Sequence, residues 1–445
     1  MVTMGSTTRS TMRSTTRKIR LKPKHDRRFR SGHPWVYSNE LQESPQGIER
    51  GEPLELLDPS GKFLAWGYAN PSSLIAFRTV SRDEAETDAL GPNGVARRLE
   101  KAWQLRQALG FSGVSHRLCF GEADRLPGFI ADLYVSSQGG STLVVQAQTA
   151  GADRWTQQWS EVLRSWRGLH RGGSLDFERL SVIIKNDSSA RIREGLAQEP
   201  GRWLEQRSGA EAQTSILIRS ADGRNPSPLE FSVDLISGQK TGFFLDQWAN
   251  IQLTLTRLED WARITGRQSV RVLDLCCYVG QWSTQLSRFF QARGIATEIT
   301  LVDASRSALE GAAKNAERAG ASSVQRLEAD VLRDLGSLAD RSFDCVISDP
   351  PALIKGRKDL PTGTHAYLQL HTQAARVLAE QGVWVACSCS GLLTEEAFGE
   401  TLAKAARRGG RQVSWIARGG QSPDHPVLAE FPEGRYLKSW IGMSL

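Results

Sequence analysis

The strongest constraint on the fold is the alternation of strand and helix signals through the C-terminal half of the chain. Apolar, β-type runs at 270–275, 298–303, 324–328, 343–349, 383–387, 413–417 and 436–443 are mostly separated by stretches with helical spacing. Such alternation predicts a doubly wound, mostly parallel sheet. Ligands of these sheets lie at the carboxyl ends of the strands, near the point where strand order reverses. Acidic residues stand at those ends here. Asp274 and Asp303 close the first two runs, Asp330 follows the third, and Asp349 closes the fourth ahead of Pro350-Pro351.

Each acid has a chemical use and a plainer one. Asp303, about thirty residues after Asp274, stands where a carboxylate accepts two hydrogen bonds from a ribose diol. Its plainer use is to cap the next helix, although Ser307-Ala308-Leu309-Glu310 has the spacing of a capping box and could do that instead. Asp330 is placed to reach an adenine amino group. Asp349 is held in a stiff turn, because proline fixes φ and removes backbone donors. A rigid, partly desolvated carboxylate there suits a flat heterocycle, although a bare Asp-Pro-Pro is more often only a turn. After Asp274, the loop Leu275-Cys276-Cys277-Tyr278-Val279-Gly280-Gln281-Trp282 lacks both the three-glycine dinucleotide fingerprint and a Gly-Lys-Ser/Thr phosphate loop. Together the acids suggest an adenosyl ligand without phosphates.

The fifth strand delivers Cys387 and Cys389, whose side chains alternate onto one face. Buried cysteine is usually a small inert hydrophobe, which suits Cys387, Cys345 and Cys119. Cys389, nearer the strand exit and beside the Asp-Pro-Pro turn, reads as a nucleophile. The six cysteines have no disulfide framework and no Cys-x-x-Cys spacing, so no metal is expected and a reducing cytoplasm is.

At 445 residues the chain is long enough for two or three domains, and no apolar run approaches a membrane span. The net charge of +7 is unevenly spread: residues 1–30 hold ten basic side chains against Asp26 alone. That stretch reads as an arm drawn to nucleic acid phosphates, as a solvated tail, or as a transit peptide, with Met4 or Met12 as alternative starts. After it, short β-type runs at 53–57, 63–68 and 75–80, punctuated by Gly51, Asp58-Pro59-Ser60-Gly61 and Asn70-Pro71, predict a small barrel ending near Arg82. A helix over 95–109 follows. The next block predicts an α+β domain, with strands at 127–134, 143–148, 180–185, 215–219 and 229–235 and a helix over 154–166.

These motifs taken together resemble the bacterial large-subunit ribosomal RNA cytosine-5 methyltransferases, from about Lys18 to Leu445. The resemblance rests on His33-Pro34-Trp35-Val36-Tyr37, the run from Gly121 to Gly128, Lys240-Thr241-Gly242-Phe243-Phe244-Leu245-Asp246-Gln247 and Val272-Leu273-Asp274-Leu275. Asp349-Pro350-Pro351, Cys387-Ser388-Cys389-Ser390-Gly391, Asp424-His425-Pro426 and the run from Pro432 to Lys438 complete it. It implies an α/β protein: a Rossmann-like class I methyltransferase domain (237–445) with an N-terminal PUA β-barrel (18–90) and a central α+β domain (91–236), behind a basic disordered tail (1–17). It further implies S-adenosyl-L-methionine as cofactor, RNA (large-subunit rRNA) as partner, no membrane partner, and a homodimer as one assembly to test.

Carried residue by residue, the family pattern makes Cys389 the nucleophile and Asp349 its partner. Cofactor binding falls to Phe244, Asp246, Gln247, Asp274, Tyr278, Gly280, Asp303, Asp330, Asp349 and Pro350. The chain departs from the pattern at Trp248 and Ile251, where arginines are usual, at Gln281-Trp282 in place of Gly-Phe, and at Ala352. The last change implies a one-cysteine mechanism, with Cys387 a lesser candidate helper. A thiolate nucleophile also predicts a locally lowered thiol pKa at Cys389, with the cationic sulfonium of the cofactor as the candidate cause. Two rivals stay open: methylation of another base atom, such as a guanine nitrogen, and a non-catalytic RNA-binding or ribosome-assembly protein with a decayed methyltransferase core.

Overall fold

The computed structural model describes residues 16–333 and 335–445. Its C-terminal half is built on seven strands: β1 (Ser269–Leu275), β2 (Ala296–Asp303), β3 (Ser323–Glu328), β4 (Phe343–Ser348), β5 (Leu378–Ser388), β6 (Val413–Gly419) and β7 (Lys438–Ser444). They are ordered β3-β2-β1-β4-β5-β7-β6, and only β7 runs antiparallel to its neighbours. The sequence dictates which strands lie inside. β4 is Phe-Asp-Cys-Val-Ile-Ser with every residue buried, whereas β3, Ser-Val-Gln-Arg-Leu-Glu, is largely exposed and forms an edge.

Five helices cover the two faces: α1 (Trp248–Thr265), α2 (Gln281–Gln291), α3 (Arg306–Arg318), α4 (Leu360–Val377) and α5 (Glu395–Arg408). Successive strand residues feed opposite layers. Val272, Cys345 and Val385 pack with Leu255, Leu286 and Leu309 of α1, α2 and α3. Their neighbours Leu273, Val346 and Trp384 pack with Leu370 and Phe398 of α4 and α5. The order reverses between β1 and β4, which opens a crevice at their carboxyl ends.

The N-terminal unit is a five-stranded sheet ordered Arg17–Arg20, Glu52–Leu57, Phe63–Ala69, Ile75–Ser81, Trp35–Tyr37. The basic stretch is therefore not a free arm from Arg17 onward. Arg17–Arg20 pairs in parallel with Glu52–Leu57, because Ile19 and Leu21 are buried with Phe29 in the barrel core while the cations point out. The part of the expected tail at 1–15 lies outside the described residues.

The central unit carries a second five-stranded sheet, ordered Arg202–Glu205, Leu180–Ile184, Ser141–Ala147, Phe129–Val135, His116–Phe120. Its two outer strands escape a reading by pattern because edge strands are short and of mixed polarity. The helix expected over 154–166 is two helices, Ala150–Gln157 and Trp159–Leu169, broken at Gln158.

All three units meet on the segment between β6 and β7. His33 Nε2 lies 3.2 Å from Glu433, and Trp35 packs edge-on against Phe431. Arg106, wholly buried, forms a bidentate pair with Asp124 and donates to the Asp424 carbonyl at 2.8 Å. Asp424 in turn accepts from the Arg117 backbone at 2.8 Å. Losing one partner of such a buried pair costs about 3–5 kcal/mol, because the other charge is left buried and unpaired.

Candidate active site

A cavity of about 810 Å³ opens at the β1/β4 reversal. Three segments shape it. The loop after β1 alternates left-handed residues, with φ of +64° at Cys276, +48° at Tyr278 and +77° at Gly280. For the two residues other than glycine this costs about 1–2 kcal/mol each. The turn is held by Cys276 and Cys277 N–H groups donating to the Val302 carbonyl at 2.8 and 3.1 Å. Gly280 also has no room for a Cβ, which would meet Ala312 at 2.9 Å. The Tyr278 hydroxyl donates to the Gly242 carbonyl and accepts from Gln239 N–H, both at 3.1 Å, tying this loop to the segment that carries Lys240.

Asp349 follows β4. Gln247 Nε2 and Trp282 Nε1 donate to its Oδ2 at 2.8 and 3.1 Å. Burial and the neighbouring Asp246 push its pKa up to about 7, against the pull of Trp282, Lys240 and Gln247. Asp246 moves the other way: burial opposes ionisation, but Lys240, His425 and the Tyr436 hydroxyl bonded to it hold its pKa below the ordinary value. Two carboxyls of one cavity thus differ in how readily they take a proton, the pattern that separates a proton donor from a fixed anion.

Cys389 stands just past β5, half-buried, its Sγ 3.7 Å from the Pro350 carbonyl. Its position is fixed from behind. Lys438 Nζ donates to the carbonyls of Ser390 and Tyr436 at 3.0 and 2.9 Å, and Ser390 Oγ bonds Ile354 N–H and the Tyr367 hydroxyl. Burial pushes the Cys389 thiol up to about 11, with Lys240 pulling down and Asp349 and Asp246 adding to the rise. The chain's own groups thus raise the thiol's pKa, desolvation outweighing the pull of Lys240, and the lowering expected from the sequence falls to the cofactor's sulfonium. Cys387 is fully buried in the sheet core, bonded to Ser439 Oγ at 3.4 Å, and does not reach the cavity.

Of the residues singled out by sequence, Phe244, Asp246, Gln247, Tyr278, Asp303, Asp330, Asp349, Pro350 and Cys389 all line this cavity. Asp274 and Gly280 do not. Asp274 is buried behind the wall, bonded to Ser283 N–H and Oγ, and its pKa is pushed up to about 7 by burial, so it shapes the start of α2. Asp303 accepts from Tyr278 N–H and Ser305 N–H, both at 2.9 Å. The cap of α3 is Ser305, accepting from Ala308 N–H at 3.3 Å, and not the expected Ser307 box.

The departures divide in two. Trp248 and Ile251 are core residues, Trp248 donating to the Ser220 carbonyl at 3.1 Å under the Arg219 guanidinium. Gln281, Trp282 and Ala352 line the cavity. Sequence reasoning gave no role to Lys240, Trp282 or Tyr436. Lys240 and Tyr436 lie within motifs already noted; Lys240 meets Phe244 and Asp246 in its own segment, whereas Tyr436 reaches Asp246 from far along the chain.

The fold and crevice define a class I methyltransferase domain with a PUA-like domain at its N-terminus. Family models agree: a PUA-like domain matches residues 19–82 and a methyltransferase domain matches residues 267–430. A putative S-adenosylmethionine-dependent methyltransferase from Streptococcus mutans superposes with a TM-score of 0.71 over 96% of this chain and all of that one, at 17% identity. The chain is 30% identical over 433 residues to ribosomal RNA large subunit methyltransferase I of Shewanella denitrificans, spanning 95% of this chain and 98% of the relative. The Escherichia coli protein of the same name is 30% identical over 414 residues, 92% and 94% of the two chains. This chain belongs to the ribosomal RNA large subunit methyltransferase I family.

Proposed function

We propose that this protein methylates carbon 5 of a cytosine in large-subunit ribosomal RNA, through a covalent bond between Cys389 and the base. The observation that carries the reading is the placing of Cys389 and a readily protonated Asp349 on one wall of one cavity.

The residues present fit S-adenosylmethionine. Asp303 ends β2 with lone pairs to spare after two backbone bonds, and Asp330 stands at the rim. Gln281 Nε2 is buried in the wall with no hydrogen-bond partner, a donor waiting for a ligand acceptor. Pro350, Val331 and Leu332 give apolar surface for a purine. Bound there, the cofactor supplies an electrophilic methyl group and a positive sulfonium charge.

The chain's own residues prepare the base. Carbon 5 of cytosine is weakly nucleophilic, so the ring is activated by addition of the Cys389 thiolate to carbon 6. The protonated Asp349 carboxyl donates to ring nitrogen 3 and neutralises the charge that develops there. Carbon 5 then carries enamine character; after alkylation, solvent water takes the carbon 5 proton as the thiolate leaves, and nitrogen 3 returns its proton to the Asp349 carboxylate, which restores the ring. Lys240, whose charge pulls the thiol's pKa down, stabilises the thiolate that the buried pocket disfavours. The target base enters unpaired or flipped from its stack, and the PUA-like domain holds the RNA by shape and phosphates.

Nucleoside analysis of large-subunit ribosomal RNA after incubation with the protein and S-adenosylmethionine tests the reading. Expected is 5-methylcytidine. Methylation confined to guanosine would replace the cytosine assignment, and absence of any methylation with intact cofactor binding would favour a non-catalytic role.

A further inference from the structure

Asp349 Oδ2 receives both hydrogen bonds that fix the carboxyl, from Trp282 Nε1 at 3.1 Å and Gln247 Nε2 at 2.8 Å; Oδ1 receives neither. An indole nitrogen can only donate, so Oδ2 must be an acceptor. In a protonated carboxyl the carbonyl oxygen is the better acceptor, and two N–H groups on one oxygen favour the hydroxyl being the other. The Gln247 Oε1 accepts from Asn250 Nδ2 at 2.6 Å, in the first turn of α1, while its Nε2 faces Asp349. Trp282 sits in the first turn of α2 and Gln247 in the short turn that leads into α1, and the two segments bring both donors to one atom.

We propose that Trp282 and Gln247 are positioning residues that dock Oδ2 of Asp349, so that its proton resides on Oδ1, the oxygen that meets the substrate base. The chemistry asked of Oδ1 rests on the cytosine reading above; the docking itself does not. The family resemblance places phenylalanine where Trp282 stands, so this chain adds an N–H donor there.

The other titratable groups facing Asp349 are Asp246, Lys240, Asp274, Cys276, Cys387 and Cys389. None of them is altered in the variants whose midpoints are compared.

The carboxyl is followed by infrared pH titration of the full-length protein without RNA or cofactor. Its band is assigned by loss in Asp349→Asn and separated from Asp274 by Asp274→Asn. Trp282→Phe keeps the ring and removes one donor to the carboxylate, so the Asp349 midpoint should rise by about one pH unit. Gln247→Met should also raise it. An unchanged midpoint in Trp282→Phe would overturn the proposal, as would a lowered midpoint in Gln247→Met, because that means Asp349 donates its proton to Gln247. In turnover, Trp282→Phe should lower kcat about 3- to 10-fold through misorientation of the donor. If the wild-type protein makes no 5-methylcytidine while the titrations shift as expected, the cytosine reading fails and the docking stands.

Discussion

Cys389→Ala is expected to lower kcat for RNA methylation by at least about 10⁴-fold, the scale on which loss of a covalent nucleophile is felt. Affinity for S-adenosylmethionine should barely change, because the acids that end β2, β3 and β4 are untouched. The variant should also fold normally. Cys389 lies past the end of β5, its Sγ makes only a long contact with the Pro350 carbonyl, and the turn behind it is held by Lys438 and Ser390. Cys387→Ala is the matching control. It removes a fully buried thiol from the sheet core, so its cost falls on stability, not on the chemical step. Isothermal titration with the cofactor and single-turnover methylation separate the two effects. Cys389→Ala retaining wild-type turnover would end the covalent mechanism.

Asp349→Ala should cost about 10²–10⁴-fold in kcat, the usual contribution of a positioned proton donor. The sign of the pH effect follows from the raised pKa. A carboxyl with a pKa near 7 carries its proton below that value and loses it above, so the donor form fades through neutrality as pH rises. Deprotonation of Cys389, whose pKa lies near 11, works in the opposite direction, and turnover needs the thiolate and the protonated carboxyl together. Asp349→Asn should be milder than Asp349→Ala. With Trp282 and Gln247 both demanding an acceptor, the asparagine carbonyl should dock against them and turn its amide N–H toward the base. A pH–rate comparison of the two variants reads this directly. Equal losses would mean that hydrogen bonding to the ring contributes little.

Much of this site is legible in the sequence for one physical reason. Parallel strands buried on both faces are near-continuous apolar runs, so the residues that end them stand out, as Asp303, Asp349 and Cys389 do. Their meeting in one crevice follows from the reversal of strand order between β1 and β4. Asp274 is equally prominent yet lies behind the wall, because Ser283, nine residues on, captures its carboxylate. A strand-end position does not reveal which way the side chain is satisfied. The contacts that tune the site are not legible. Trp282 and Gln247 reach Asp349, and Tyr436 reaches Asp246, only through tertiary packing, from segments separated by the whole of β2 to β4 or by most of the domain, while Lys240 meets Asp246 within one short segment. The thiol illustrates the same limit. Its chemistry predicts a lowered pKa, but burial, a property of the fold, sets the direction.

Charge counting misleads at the N-terminus in a related way. It makes residues 1–30 an arm, yet alternation decides, and Ile19, Leu21 and Phe29 carry the chain from Arg17 onward into the barrel core. Trp248 and Ile251, which depart from the family pattern next to the pocket-lining Asp246 and Gln247, belong to the core under α1. Gln281, Trp282 and Ala352 are the departures that reach the cavity, and the first two add N–H donors to it.

The central claim is a covalent bond between Cys389 and carbon 6 of a cytosine. The measurement that tests it most directly is trapping with ribosomal RNA carrying 5-fluorocytidine at the methylated position. With S-adenosylmethionine present, fluorine cannot be lost as the carbon 5 proton is, so the adduct should accumulate. Mass spectrometry of the digested complex should place the nucleotide on Cys389, with none on Cys387 and none formed by Cys389→Ala. Efficient methylation of the unmodified RNA with no adduct on the fluorinated one, or an adduct on another residue, would contradict the account.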